Sequence, residues 1–91
     1  MLMKVLSNNR ELYEYLLLLE SVLEERGATA LSEIVQFAAR FASTIPATKF
    51  MGESRIALRR VLDEENAILN DEERTDLCDV LKQLDRAFNR R

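Results

Sequence analysis

The sequence predicts an all-α fold: a compact antiparallel bundle of four helices plus a short helical turn. Apolar residues recur at steps of three and four, and the helix-favouring residues Leu, Ala, Glu and Arg dominate. Only two glycines and one proline occur in 91 residues, so little of the chain need be turn. A chain of this length forms one domain, residues 1–91, and no single apolar stripe could be buried without packing on another.

The first helix is predicted to begin at the cap-type residues 7–9 and to end at Gly27. Its apolar stripe is formed by Leu12, Tyr15, Leu16, Leu18, Leu19, Val22 and Leu23. Gly27 directly follows Arg26, and a cation followed by a glycine is a usual helix end.

A second helix is predicted to be capped by Thr29, and the short preceding loop favours an antiparallel hairpin with the first helix. Its apolar positions are Leu31, Ile34, Val35, Ala38, Phe41 and Ala42, flanked by Phe37. Pro46 ends it, because a proline disfavours α geometry at the residue before it. Pro46 is also expected to start the short helical turn, which runs to Met51.

Gly52 is expected to separate that turn from a third helix over residues 53–69. The core positions of this helix are Ala57, Leu58, Val61, Leu62, Ile68 and Leu69. Asn70 is predicted to cap the fourth helix, with Glu73 at the third helical position in a capping box. The stripe of the fourth helix is Leu77, Val80, Leu81, Leu84 and Phe88.

Residues that commonly carry enzyme chemistry are scarce. The chain has no His and one Cys, so an intramolecular disulfide and a zinc site of the His/Cys type are excluded. Its serines have no His to activate them, no glycine-rich phosphate loop occurs, and the calcium-loop pattern fails after Asp63. We expect no enzyme activity, no catalytic residue, no cofactor and no metal, and we expect Cys78 to be a structural thiol.

The sequence also limits which cellular compartment and which classes of partner are expected. The notable apolar run at residues 15–19 is too short to span a membrane, and the N-terminus lacks a secretory pattern, so a cytoplasmic protein is expected. Residues 29–35 resemble part of a helix-turn-helix, but Arg40 is the only charge over residues 36–44 and the net charge is −3. Neither nucleic acid nor membrane is a predicted partner.

Charge is the strongest non-periodic feature. Between Asp63 and Asp79 lie eight acids and only Arg74, a net charge of −7, while the rest of the chain carries +4. Anions stabilise the first turn of the fourth helix, but they gain nothing near the end of the third. Two interpretations stay open: a solvated face, or an interface for a basic partner. The candidate partner-binding residues are Asp63, Glu64, Glu65, Asp71, Glu72, Asp76 and Asp79.

Two other features favour structural explanations. Arg59 and Arg60 precede Asp63 and Glu64 by four residues, which predicts intrahelical ion pairs rather than a phosphate site. Among the aromatic residues, Phe37, Phe41 or Phe50 is expected to be partly exposed. An apolar patch there would indicate a partner or a homodimer.

The third helix carries a Gly-Glu pair, three residues, an Ala-Leu pair and then a Val-Leu pair: Gly52, Glu53, Ala57, Leu58, Val61 and Leu62. With the acidic segment after it, this pattern resembles the Maf-type immunity proteins of bacterial polymorphic toxin systems, over about residues 50–88. The resemblance implies a protein that binds and blocks a cognate toxin in the producer's cytoplasm. The alternatives are a homodimeric helical adaptor or structural subunit, and a phage-encoded inhibitor of a bacterial defence nuclease.

Overall fold

The computed structural model describes residues 9–43, 47–64 and 69–89, and the predicted all-α fold of four helices is confirmed. The helices are α1 (Asn9–Glu25), α2 (Thr29–Ala39), α3 (Ala47–Glu64) and α4 (Asp71–Asn89), with a short 3₁₀ helix at Arg40–Ser43. The predictions for Ser7, Asn8, Pro46, Glu65 and Ile68, and for the side chain of Phe88, lie outside the described residues. None of the helices in the described ranges has both the length and the apolar character needed to cross a membrane.

The α1–α2 hairpin turns at Gly27, as predicted. Gly27 has φ of +83°, its N–H donates to the Glu24 carbonyl at 3.1 Å, and the Ala28 N–H donates to the Leu23 carbonyl at 2.9 Å. This is the Schellman arrangement, which glycine enters without steric cost. The predicted cap at Thr29 is wrong, because Ala28 is the N-cap and Thr29 is the first helical residue.

The predicted helix boundary at Gly52 is also wrong. Residues 47–51, expected to form a separate turn, are the first part of α3, and the extra short helix lies instead at the end of α2. A glycine inside a helix costs about 1 kcal/mol relative to alanine. Complete burial of Phe50 stabilises the same turn by roughly 1.5–3 kcal/mol, so packing outweighs the local penalty. At its other end the described part of α3 reaches Glu64, and the buried Leu69 precedes α4.

One core joins all four helices, and most of the predicted stripes point into it. Its buried apolar residues are Leu12, Tyr15, Leu16, Leu19, Leu23, Leu31, Val35, Ala38, Ala39, Phe50, Ala57, Leu58, Val61, Leu69, Leu77, Val80, Leu81 and Leu84. Leu18, predicted to be in the stripe, is 58% exposed. Of the aromatic residues expected to be partly exposed, Phe37 and Phe41 are, whereas Phe50 is fully buried.

The predicted capping box at the start of α4 is confirmed. The Glu73 N–H donates to Asn70 Oδ1 at 2.8 Å, and the Asn70 N–H donates to Glu73 Oε1 at 2.9 Å. These reciprocal bonds satisfy two of the N–H groups that a helix leaves without a partner at its start. They also fix the direction in which α4 leaves the turn, which places its first half beside α1.

Candidate protein-binding face

A groove of about 250 Å³ lies between α1 and the beginning of α4. Its lining residues are Tyr15, Leu18, Leu19, Val22, Leu69, Glu73 and Asp76. Five of the seven are apolar or aromatic, and the two ionisable carboxylates both belong to α4. The groove therefore combines an apolar floor with an acidic edge.

An ion pair between α1 and α4 closes one side of the groove. Arg26, just after α1, donates through Nη1 to Glu73 Oε1 and through Nη2 to Glu73 Oε2, the second bond at 2.7 Å. The hydrogen bonds from Arg26 lower the pKa of Glu73 below its usual value, and the Asn70 N–H adds to this effect. The same contact raises the pKa of Arg26. Glu73 is thus charged at neutral pH and holds the end of α1 against the start of α4.

The floor of the groove contains one buried hydroxyl. Tyr15 is 6% exposed, and burial raises the pKa of its phenol, with the negative charge of Asp76 as a further cause. The phenol is consequently neutral at neutral pH. Tyr15 supplies an aromatic surface and a polar tip to the groove without adding charge.

The acidic excess of the protein collects on the elements that form the groove. Over residues 9–28 and 69–79 there are ten acids and three bases, a net charge of −7. The other described residues, 29–43, 47–64 and 80–89, hold five acids and seven bases, a net charge of +2. The elements α1 and the first half of α4, whose outer surface is here called the acidic face, therefore carry more negative charge than the whole chain.

The predicted partner-binding residues are divided between two surfaces. Asp71 and Glu72 are exposed on the first turn of α4, Asp76 is half-buried in the groove, and Asp79 is half-buried one turn later. These four belong to the acidic face. Asp63 and Glu64 are exposed at the end of α3, and Glu65 lies outside the described residues.

At the end of α3 the acids share their surface with arginines. A shallow depression of about 400 Å³ is lined by Gly52, Arg55, Ile56, Arg59, Arg60 and Asp63. Arg60 Nε donates to Glu64 Oε2 at 3.0 Å, so this predicted intrahelical pair is confirmed. The predicted partner of Arg59 is wrong: its Nη2 donates to Asp85 Oδ2 of α4 at 3.2 Å, where Arg55 Nε also donates to Oδ1. Asp85 of α4 lies across the α3–α4 interface and accepts hydrogen bonds from both arginines.

Sequence reasoning missed the contribution of α1 to this face. Leu18 and Val22 line the groove, yet both were assigned to the core stripe. The signal was the width of that stripe: seven apolar residues between positions 12 and 23 are more than one helix face can bury. A second signal is the pair Glu24 and Glu25 in the last turn of α1, because anions at a helix C-terminus are unfavourable to the dipole.

A second exposed feature lies on α2. The Phe37 side chain is 52% exposed and packs edge-to-face on Phe41, with ring centroids 5.3 Å apart. Lys49 Nζ lies 5.2 Å from the centroid of the Phe41 ring. Phe41 is partly buried against the core, so Phe37 supplies most of the exposed surface of this small aromatic patch.

Comparisons with protein-family models, with curated proteins and with solved structures find no match for this chain. The resemblance to Maf-type immunity proteins therefore stays a prediction. Within the described ranges, no group of three or more His, Cys, Asp or Glu side chains is placed to hold a metal ion. The described residues form an apolar groove and an acidic face, which are features suited to binding.

Proposed function

We propose that the protein is a non-enzymatic inhibitor of the immunity or antitoxin type, which neutralises a basic toxin or nuclease by covering its functional surface. The observation that carries this proposal is an apolar groove between two elements that together hold ten acids against three bases, with Glu73 and Asp76 at its edge. A face of one sign attracts a partner of the other sign and orients it during encounter. The same face repels phosphate, which favours a protein partner over nucleic acid.

Local helix stability explains only part of this charge. Asp71 and Glu72 lie in the first turn of α4, where each contributes roughly 0.3–1 kcal/mol through the helix dipole. Glu24 and Glu25 lie in the last turn of α1, where no basic residue accompanies them. Anions at that end oppose the dipole, so their presence supports a role outside the helix.

The first test compares two double variants with the same change in net charge. The partner is the product of a neighbouring reading frame, if that frame encodes a basic toxin-like protein, and association is followed by stopped-flow at low and high salt. Asp71→Lys with Glu72→Lys is expected to slow association by about tenfold or more at low salt, with the difference shrinking as salt rises. Asp63→Lys with Glu64→Lys is expected to have a smaller effect, because arginines already offset charge there.

The outcomes show whether the partner contacts the first turn of α4 or the end of α3. If the α3 variant is the slower one, the interface lies at the end of α3. If neither variant changes association, the acidic face is not the interface and the proposal fails. A phage-encoded inhibitor of a bacterial defence nuclease would use the same chemistry, and inhibition assays with a toxin and with a defence nuclease distinguish the two.

The exposed aromatic patch favours one second candidate, a homodimeric adaptor or structural subunit joined through α2. Phe37 is 52% exposed, and burying it against a second copy would remove that apolar surface from water. Sedimentation of the purified protein is the test, with Phe37→Ser as the variant. A dimer that dissociates in Phe37→Ser supports this candidate, and a monomer at all concentrations excludes it.

A further inference from the structure

The groove between α1 and α4 has the size of a side-chain pocket. Its volume of about 250 Å³ exceeds the roughly 150 Å³ of an apolar cavity that accommodates a benzene ring. Leu18, Val22 and Leu69 supply aliphatic surface, and Tyr15 supplies an aromatic face. One large apolar side chain of a partner therefore fits between the two helices.

The exposure of Leu18 shows where such a side chain would enter. Leu18 is 58% exposed, while Leu19 beside it is 6% exposed, although both line the groove. The pocket thus has a buried inner wall and an open apolar lip. Leu17 is also exposed, at 41%, but lies outside the groove lining and provides a matched position on the same helix.

The carboxylates at the edge of the groove favour an occupant that carries positive charge. Glu73 and Asp76 stand one helical turn apart on α4, and the elements around them have a net charge of −7. Arg26 lies at this edge, and both of its terminal nitrogens donate to Glu73. A cation of the occupant would meet Asp76 and the exposed acids of the first turn of α4.

The depression on α3 has a different character. The exposed Ile56 lines it together with Arg55, Arg59 and Arg60. These arginines donate to Asp85 and Glu64, so their charge is offset and the depression offers a basic segment no acidic surplus. Of these two depressions, the α1–α4 groove is therefore the better match for a basic partner.

We propose that the α1–α4 groove binds an amphipathic basic segment of the partner, with one large apolar side chain inserted between Leu18, Val22 and Leu69 and a Lys or Arg one helical turn away facing Asp76. The proposal rests on the proposed function, because it names the part of a basic partner that the acidic face receives. Insertion supplies apolar burial, while the cation sets the direction of the segment.

The experiment uses short alanine-based helical peptides as probes and follows backbone and methyl resonances of the full chain by NMR. The first peptide has one Leu with a Lys one turn before and one turn after it. A second has Ser in place of the Leu, and a third has Glu in place of both Lys residues. The first peptide is expected to shift the Leu18, Val22 and Leu69 resonances saturably, with an affinity about tenfold higher than that of either other peptide.

Matched variants locate the binding. Leu18→Ser is expected to lower the affinity for the first peptide by about tenfold, whereas Leu17→Ser is expected to leave that affinity unchanged. Asp76→Asn is expected to weaken it about two- to fivefold at low salt, more than Asp71→Asn, which removes the same charge outside the groove. All four positions are exposed or half-buried, so the variants are expected to fold, and circular dichroism checks this.

Three results would overturn the proposal. Equal affinities of the Leu and Ser peptides would mean that charge alone attracts them. That result would exclude the groove as the binding site but not the acidic face. Equal effects of Leu18→Ser and Leu17→Ser, or no saturable shift at the groove, would also exclude the groove. The proposed function fails separately, when reversing Asp71 and Glu72 leaves association with the intact partner unchanged.

Discussion

The two halves of α4 stabilise the fold in different ways. Its first half is joined to the end of α1 by the Arg26–Glu73 pair, in which Glu73 is also held by its capping box with Asn70, and an open groove remains beside them. Its second half is joined to α3 by Asp85, which accepts hydrogen bonds from Arg55 and Arg59. At α3 positive and negative side chains offset each other, whereas the first half keeps a large acidic surplus. Charge that is compensated within the fold is of little use for attracting a partner.

The largest expected effect is on the free energy of unfolding, and it distinguishes the buried side of α1 from the side that lines the groove. Leu16 is fully buried, so Leu16→Ala is expected to lower the free energy of unfolding by about 2–5 kcal/mol. Leu18→Ala, at a 58% exposed position, is expected to stay within about 0.5 kcal/mol. Urea unfolding followed by circular dichroism measures both. Equal losses would show that Leu18 is part of the core and that the groove is closed.

The next effect tests the capping box that orients α4 toward α1. Asn70→Ala removes the acceptor of the Glu73 N–H and is expected to cost about 0.5–2 kcal/mol. Asn70→Ser keeps an acceptor and should recover most of that loss. The same urea titration applies. A serine variant as unstable as the alanine variant would indicate that the amide acts through another contact.

A smaller, pH-dependent effect tests the link between α1 and α4. Glu73→Gln keeps a capping-box side chain but removes the charge that faces Arg26. Because the folded pKa of Glu73 is lowered, its ionisation stabilises the protein above the unfolded pKa of about 4.3, and this contribution is lost as pH falls through the folded pKa. With solvent screening we expect a difference of about 0.5 kcal/mol at pH 7.

Unfolding measured at neutral pH and at about pH 3 checks the sign of this effect. The stability difference between the wild type and Glu73→Gln should shrink on acidification. A difference that persisted undiminished at acid pH would mean that the neutral hydrogen bonds, and not the ion pair, hold α1 to α4.

The smallest expected effect on stability is at α3, where acids and arginines offset each other. Arg60 and Glu64 form an exposed intrahelical pair, so Glu64→Gln is expected to lower stability by only about 0.2–0.5 kcal/mol. Differential scanning calorimetry at low and high salt measures it, with Lys49 and Glu53 as a second pair of the same spacing. A loss above 1 kcal/mol would show that this side depends on its charges as strongly as the acidic face does.

Local patterns predicted a large part of the fold. The period of the leucines predicted the buried face of each helix, and the Gly27 end and the Asn70–Glu73 cap depend on residues within one turn of each other. The failures involve distant contacts. Gly52 lies inside a helix because Phe50 is buried against other elements, and Arg59 bonds Asp85 because α4 lies across from α3. Neither contact is visible in a local window.

The candidate site shows the same limit. Asp71, Glu72 and Asp76 were predicted to contact a partner from the charge of one segment, but Leu18, Val22 and the acids of α1 come from the opposite end of the chain. Sequence alone determined that the chain forms helices, most of their apolar stripes, the Gly27 end, the Asn70–Glu73 cap and the acidic total, because these depend on neighbouring residues. Only the tertiary structure decided which acids share a face and where a groove stays open, because both depend on how α4 packs against α1 and α3.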